Sequence, residues 1–470
     1  MGMFSEEPTL IPKLRRRELM RLGALTISGF RLLPMAAPRN VHAQSRIRAR
    51  GSADCVIFLN LLGGPSQMDT FDVKEAAWGP ENRDVRTTPL GYKFPYGLMP
   101  KLATQLDDLL VVRSMEAWET VHSRGQYYLQ TGHAVSPARG KEMPSLGAVI
   151  AYEFQAQRKE SDFLPPFVAM NYDANNMYGP LQREGCLNSD CSPLTLDLKS
   201  GNLPFIVEEQ DRARFQRRWD LLNRFDSSRH GLRDDSPQVM RQFDSFGKAV
   251  YRMMDNPAIN KIMHLDAAER KVYGSTPIGD ACLVARNMVA ANAGARFLFL
   301  THGDWDHHGN IYGKEGKGGV YKMCGELDGA LSALLLDLKR LKRSDGTALL
   351  DRTLIVCMGE FGRTPGPLTI NKGREHYAKA MVAAFAGAGV KGGRAIGATD
   401  AEAAKVVEYG WRRKRPIYVE DICSTIYSTL GIDWTKRLTN TPSGRDFVYV
   451  DPAAGQHVVD FQEVKDFFES

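Results

Sequence analysis

Three uninterrupted apolar runs end directly in residues that bind metals or transfer protons. Residues 297–301 (FLFLT) lead into HGDWDHHGN, residues 354–358 (LIVCM) lead into GEFGRTPG, and residues 55–62 (CVIFLNLL) stop at GGPSQMDTFD. Such runs are typical of parallel strands that are buried on both faces. Because ligands bind outside the carboxyl ends of these strands, the three runs predict one site at one edge of a sheet.

Segments of helical length separate the predicted strands. We expect helices at residues 122–131, 144–155, 281–293, 324–343 and 418–431, and further strands at 109–113, 167–170 and 381–387. This alternation predicts an α/β fold with a mainly parallel sheet covered on both faces. Residues 205–275 have helical periodicity, heavy charge and no strand pattern, which favours an inserted helical cap.

The first 43 residues have the features of a bacterial export signal. RRRELMR at residues 15–21 is a twin-arginine motif, followed by a modest apolar stretch and a small-residue site at residues 41–43. The alternative is an ordinary basic amphipathic start. The motif predicts a signal peptide at residues 1–43, the twin-arginine translocase as an export partner, and a periplasmic or secreted domain at residues 44–470.

No later window reaches the ~18 apolar residues that a membrane span needs, so we expect no integral membrane segment in the mature chain. Residues 1–43 contain seven basic and two acidic residues, and most of the formal charge of +6 therefore belongs to the signal. The nearly neutral remainder does not predict nucleic-acid binding. Cys186 and Cys191 are close neighbours in a loop-like segment, and in an exported protein they could form a disulfide.

Several of these motifs, taken in order, resemble one family. LNLLGGPSQMDTFD, GDWDHH, GEFGRTP, GREHY and AGAGVKGG are similar to the signature of the exported bacterial family named domain of unknown function 1501. That family lies within the alkaline phosphatase and sulfatase superfamily. The resemblance covers nearly the whole mature chain and implies a three-layer α/β/α fold. It also implies a metal site at the carboxyl edge and activity on phosphate or sulfate esters.

The position of the superfamily's nucleophile carries a different residue here. In sulfatases the nucleophile begins a short helix that ends nine residues later in Thr-Gly; counting back from Thr131-Gly132 reaches His122, followed by Ser123. His122 could bind a metal, with a metal-activated water as the attacking group, or it could be a nucleophile or general base. Ser123 could instead attack after a one-residue shift. The alternative is a histidine that caps or packs at a helix start.

The metal positions also depart from the superfamily. Glu360-Phe361 stands where Asp-His is usual, and Gly-Gly-Pro-Ser replaces the acid after the first strand, with Asp69 or Asp72 several residues later. These departures imply that at least one of two metal positions is altered or lost. The predicted metal ligands are Asp69, Asp306 (or Asp304), His308, Glu360 and His376. Carboxylate and imidazole ligands suit one or two ions of zinc, manganese or iron.

Arg363 and Arg374 are candidates for binding the anionic group of a substrate, because planar guanidinium groups match phosphate and sulfate. The alternative is that they form salt bridges with Glu360 and Glu375. The sequence therefore predicts a metal-dependent hydrolase of sulfate or phosphate esters, acting on a small-molecule or polysaccharide ester. The competing hypotheses are an inactive binding or structural protein on the same fold and a metal-dependent transferase.

Overall fold

The protein was analysed as a computed structural model, which describes residues 47–75, 78–81, 83–173, 177–199, 207, 209–230, 238–313, 319–439, 441–451 and 459–469. The predicted signal peptide at residues 1–43 lies outside these residues, so it stays a prediction. All elements below belong to one compact unit, which spans residues 47–470.

Eight strands form the central sheet. In chain order they are β1 (Cys55–Leu61), β2 (Leu110–Met115), β3 (Phe167–Met170), β4 (Leu194–Leu196), β5 (Phe297–His302), β6 (Thr353–Met358), β7 (Met381–Ala386) and β8 (Arg394–Ile396). Across the sheet the order is β8-β2-β7-β6-β1-β5-β3-β4. Every residue of β1 is buried between β6 and β5, which explains why its sequence is apolar except for Asn60, whose amide bonds to the Gln126 side chain.

Nine helices lie within the described residues. They are α1 (His122–Thr131), α2 (Leu146–Phe154), α3 (Glu209–His230), α4 (Gln238–Asp255), α5 (Ala258–Met263), α6 (Ala267–Val272), α7 (Pro277–Ala291), α8 (Val320–Arg340) and α9 (Val419–Thr429). Four of them, α3 to α6, fall in the region predicted as a helical cap, and the capping role stays a prediction. None of the described helices combines the length and apolar character that a membrane span requires.

Alternate residues of β1 point into two separate cores, which shows the three-layer arrangement. Ile57 and Leu59 pack in one core with apolar side chains of α7 and α8. Val56 and Phe58 pack in the other core with side chains of α1, α2 and α9. Because successive side chains of a strand point to opposite faces, one central strand supports both layers. The predicted α/β/α fold with a mostly parallel sheet is confirmed.

Within the described sheet, β7 is the one strand that is antiparallel to its neighbours. A parallel return would need a crossover helix of a dozen or more residues. The segment between β6 and β7 instead forms a short antiparallel pair of Gly362–Arg363 with His376–Tyr377. The chain therefore turns back at the edge where β6 ends, and the start of β7 lies beside the ends of β6 and β2.

Three more two-stranded pairs lie outside the central sheet, namely Val85–Thr87 with Lys93–Pro95, Ala398–Thr399 with Val406–Glu408, and Arg437–Leu438 with Phe447–Val448. The disulfide considered for Cys186 and Cys191 is absent, since both are free thiols. Cys191 is buried, and its thiol donates to the Asn188 side-chain oxygen at 3.1 Å.

A buried carboxyl group links α9 to α1. Glu420 accepts hydrogen bonds from the Trp118 indole (3.2 Å) and from the Tyr128 hydroxyl of α1. Burial, with a smaller contribution from the neighbouring Asp421, raises the pKa of Glu420 to about 8 in spite of these two donors.

Replacing Glu420 by glutamine should remove a pH dependence of stability. The folded-state pKa lies above the ordinary value of 4.5, so stability is highest below that value and falls until the pH passes about 8. As the pH rises from 4.5 to about 8, the parent should lose about 1 kcal/mol of unfolding free energy per pH unit relative to Glu420→Gln. Urea unfolding at several pH values measures this.

The exposed Glu160 provides the control, because Glu160→Gln should give a difference that does not change with pH. If the unfolding free energies of Glu420→Gln and the parent change equally with pH in this range, Glu420 is not the cause of the pH dependence.

Candidate metal centre

Polar side chains from four parts of the chain meet at one edge of the central sheet. Asp306 and His308 follow β5, Glu360 follows β6, and His376 lies shortly before β7. His122 is the first residue of α1, which follows β2. The antiparallel direction of β7 is what brings His376 to the same edge as the carboxyl ends of the parallel strands.

Four of these side chains form a compact cluster, and each offers one ligand atom. The ligand atoms of His122, Asp306, His308 and His376 all lie within 4.8 Å of one another. His308 Nε2 is 2.9 Å from both Asp306 Oδ1 and His376 Nε2. His376 Nε2 is 3.3 Å from Asp306 Oδ1, and His122 Nε2 is 3.2 Å from Asp306 Oδ2.

Glu360 lies behind His122 and is not one of the four clustered ligands. It is fully buried and its Oε1 is 2.8 Å from His122 Nδ1. Its other contacts are the backbone N–H of Gly63 (3.0 Å) and the Gln126 amide, which donates to Oε2 at 2.7 Å. Because Nδ1 donates to this carboxylate, the neutral ring presents the lone pair of Nε2 to the cluster.

The other two imidazoles are oriented in the same way. His376 Nδ1 is 2.6 Å from the backbone oxygen of Thr120, and His308 Nδ1 is 2.6 Å from Glu375 Oε2. Each Nδ1 therefore has an acceptor, and each Nε2 is left to face the centre. A second partner of this kind fixes the tautomer of a metal-binding histidine in known metal sites.

The cluster has the size and chemistry of a site for one ion. His122 Nε2 is buried and has no hydrogen-bond partner, although Asp306 is near. Zinc–nitrogen bonds of about 2.0–2.1 Å place tetrahedral ligand atoms roughly 3.3 Å apart, close to the separations of 2.9–3.3 Å seen here. Three imidazoles and one carboxylate fit zinc, manganese or iron.

The electrostatics at this point favour a cation. Burial alone would raise the pKa of Asp306, but His122, His376 and Arg363 together hold it well below its usual range. Burial lowers the pKa of His122, while Asp306 and Glu360 outweigh that effect and raise it. Carboxyl groups lie on both sides of the His122 imidazole, and an ion at Nε2 would be attracted to them.

The exposure of the four side chains increases in one direction across the cluster. His122 is 8% exposed, Asp306 12%, His376 20% and His308 42%. Phe361 closes the opposite side, with its ring 5.1 Å from that of His122 and 4.7 Å from that of His376. Solvent and ligands therefore reach the centre from the side of His308.

Arg363 is buried against the cluster and supports it. Its guanidinium group donates to Asp306 Oδ1 (2.5 Å), to Gly64 O (2.9 Å), to Arg374 O (2.9 Å) and to Gly63 O. These contacts use most of its donors within the protein. The predicted role in binding a substrate anion stays a prediction that this arrangement does not favour.

Asp69 and Arg374 form a separate buried group. The Tyr312 hydroxyl donates to Asp69 Oδ1 at 2.9 Å, and Arg374 Nε lies 3.5 Å from Asp69 Oδ2. The Arg374 guanidinium also donates to the backbone oxygens of Thr364 and Gly366, both at 2.8 Å. The structure therefore places the proposed ligand Asp69 and the proposed anion clamp Arg374 away from the four clustered ligands.

Two neighbouring histidines, His302 and His307, bond to other groups and lie outside the cluster. His302 contacts Glu326 (3.1 Å) and accepts from the Trp305 indole (3.3 Å), while His307 Nε2 accepts from the Gly319 N–H at 2.9 Å. Asp304, the alternative to Asp306, is exposed and lies outside the cluster.

Several contributors were missed by the sequence reasoning. Gln126 lies one turn after His122 on the same helix face, a spacing that could have suggested a shared role. The Tyr178 ring contacts that of His122 edge-on at 4.6 Å. No pattern predicted Tyr178 or the Thr120 carbonyl, because both come from irregular loops. Ser123, the alternative nucleophile, is exposed on α1.

Replacing Glu360 by glutamine should weaken metal binding about 10–100-fold, the usual effect of altering a partner of a metal-binding histidine. The amide still accepts from His122 Nδ1, but the negative charge behind the ring is lost. Competition with a chelator of known affinity measures the change.

Glu326→Gln is the matched control, because Glu326 forms the same type of carboxylate–histidine pair with His302 outside the cluster. Equal metal affinity of Glu360→Gln and Glu326→Gln would contradict the assignment.

Comparison with known proteins agrees with the family that the motifs suggested. No curated protein matches the chain. Among solved structures, a protein in the alkaline phosphatase superfamily from Vibrio parahaemolyticus is similar (12% identity, TM-score 0.37, covering 90% of this chain and 76% of that one). So are a sulfatase from Pseudoalteromonas sp. (13%, TM-score 0.36, covering 91% and 74%) and the alkaline phosphatase of the Antarctic bacterium TAB5 (13%, TM-score 0.36, covering 82% and 99%).

Similarities this distant carry no argument about activity. The family model does identify the family, because it matches most of the chain, residues 53–461. The chain belongs to the family described as protein of unknown function DUF1501.

Proposed function

We propose that this protein is an exported, metal-dependent hydrolase of sulfate or phosphate esters. The observation that carries the proposal is the convergence of three imidazole Nε2 atoms and one carboxylate, with every imidazole Nδ1 bound to an acceptor. In this proposal His122, Asp306, His308 and His376 hold the ion, and Glu360 positions His122.

In this proposal the residues around the site have separate roles. A bound divalent ion supplies positive charge that polarises the ester and lowers the pKa of the attacking group. Glu360, Thr120 and Glu375 keep protons on the outer nitrogens of the three imidazoles. Arg363 holds Asp306 in place, and the exposed side at His308 admits the ester.

The start of α1 adds a second attraction for an anionic ester. Its N-cap is Val121, whose side chain makes no capping hydrogen bond, so the amides of the first turn have no side-chain cap. A helix N-terminus of this kind favours negative charge. Because α1 begins at His122, an ester bound at the metal would lie close to these amides.

The role of His122 as a ligand is better supported than a role as nucleophile or general base. Its Nδ1 is occupied by Glu360, and its Nε2 belongs to the cluster. Ser123 stays an open candidate for the attacking group, since it is exposed beside the site. Export through the twin-arginine translocase rests on the motif at residues 15–21 alone.

The decisive experiment is elemental analysis of the signal-free protein, purified without added metal or a histidine tag. We expect about one equivalent of zinc, manganese or iron, as the single four-ligand cluster implies. A protein that contains no metal, and that is not stabilised against heat by adding any, would contradict the proposal.

The double variant His376→Ala/Asp306→Ala should lose the metal without unfolding. Hydrolysis of p-nitrophenyl phosphate or p-nitrophenyl sulfate should fall by at least about 100-fold, because the ion contributes several kcal/mol to the barrier. His302→Gln is the control and should keep metal and activity. Stoichiometric metal in the double variant would refute the ligand assignment.

One observation favours the competing function of an inactive binding protein on the same fold. The residue at the superfamily's nucleophile position, His122, is buried and in contact at both nitrogens. A metal-loaded protein that binds esters and hydrolyses none of them would select this alternative.

A further inference from the structure

A groove of about 540 Å³ runs along the outer side of α1. Ser123, Arg124 and Tyr127 of α1 form one wall, and parts of the segments 135–143 and 180–185 form the others. This volume lies within the range of ordinary ligand pockets, which is about 300–1,000 Å³. None of the four clustered metal ligands lines it.

The groove begins next to the metal centre. Ser123 follows the ligand His122 directly, and Tyr178, which contacts the His122 ring, precedes the wall at residues 180–185. Gly179 packs so closely on the first turn of α1 that an added Cβ would lie 3.2 Å from the Ser123 Cβ. A chain bound in the groove would therefore have one end near the cluster.

The charged side chains of the groove are mostly basic. Arg124, Lys141 and Arg183 line it, with Glu184 as the one acid among the lining residues. Arg124 pairs with Glu119 and Arg183 with Glu184, but both arginine side chains are more than half exposed. Such surface pairs contribute little, so a bound anion could replace either acid.

A buried hydroxyl in the groove has no partner in the protein. Tyr127 is 7% exposed and its hydroxyl makes no hydrogen bond. An unsatisfied buried polar group is costly, and an oxygen-rich ligand could remove this cost. Ser123, Ser136 and Gln182 add further hydrogen-bonding groups to the lining.

We infer that the groove binds a polyanionic, hydroxyl-rich chain, such as a sulfated or phosphorylated glycan. Its anionic groups would contact Arg124, Lys141 and Arg183, and its hydroxyls would contact Tyr127 and the neighbouring polar groups. The placing of one ester of the chain at the metal centre rests on the proposed function, whereas binding in the groove does not.

The test measures binding of fluorescently labelled dextran sulfate, dextran phosphate and neutral dextran to the full-length protein by anisotropy. At least one anionic polymer should bind about tenfold more tightly than neutral dextran, and added salt should weaken that binding. The better of the two anionic polymers identifies the preferred ester. Equal binding of the neutral polymer would overturn the inference.

The double charge reversal Lys141→Glu/Arg183→Glu should weaken binding of the anionic polymer about tenfold. Lys101→Glu/Lys391→Glu, two lysines outside the groove, is the matched control and should leave binding unchanged. Equal binding by the groove variant and the parent would overturn the inference. If the double reversal does not fold, the milder Lys141→Gln is measured by the same criterion.

Tyr127→Phe separates a ligand contact from a structural role. Removing an unpartnered hydroxyl should not lower the midpoint temperature of thermal unfolding. Affinity for the polymer should fall if the hydroxyl contacts the ligand. Unchanged affinity would remove Tyr127 from the site. His376→Ala should lose hydrolysis and keep polymer binding. A parent protein that binds the polymer but hydrolyses no ester contradicts only the proposed function, and unchanged binding in the groove variants contradicts only the groove.

Discussion

The candidate metal centre depends on one buried guanidinium group, which joins loops from four parts of the chain. Arg363 follows β6, and it bonds to Gly63 and Gly64 after β1, to Asp306 after β5 and to the backbone of Arg374 before β7. Burying a charge is costly unless it is paired and hydrogen-bonded, and this arrangement satisfies both conditions. A lysine could not make these divergent contacts, because it lacks the planar fork. Each loop is thereby held relative to the others before any ligand binds.

The positions of the six longest strands along the chain could be predicted, because burial on both faces leaves a direct record in the sequence. The run at β1 is apolar except for Asn60, since neighbours cover it on both edges and helices cover both faces. The direction of β7 could not be anticipated, because an apolar run looks the same in either direction. The segment between β6 and β7 is long enough for a crossover helix, so its length does not distinguish a parallel from an antiparallel return.

At the site, the sequence predicted which loops meet, but it did not predict how their side chains are oriented. Strand ends predicted that Asp306, His308 and His376 would meet, because the carboxyl edge is a property of topology. They also predicted Glu360 as a ligand, whereas the structure places it behind His122. Asp69 was expected nearby and lies instead with Tyr312 and Arg374. A sequence indicates which loop carries a side chain, but the direction of that side chain depends on backbone angles and packing that no local pattern records.

The tight turn after β1 limits which residue can stand there. Gly63 has a φ of 111°, and an added Cβ would lie 2.5 Å from the backbone nitrogen of Asp306. An aspartate cannot be introduced at Gly63 by a single substitution, because both the backbone angle and the neighbouring loop exclude its first carbon. A side chain at this position would require the turn and the loop after β5 to be rebuilt together, so the position of Asp306 depends on the absence of a side chain more than 240 residues earlier in the chain.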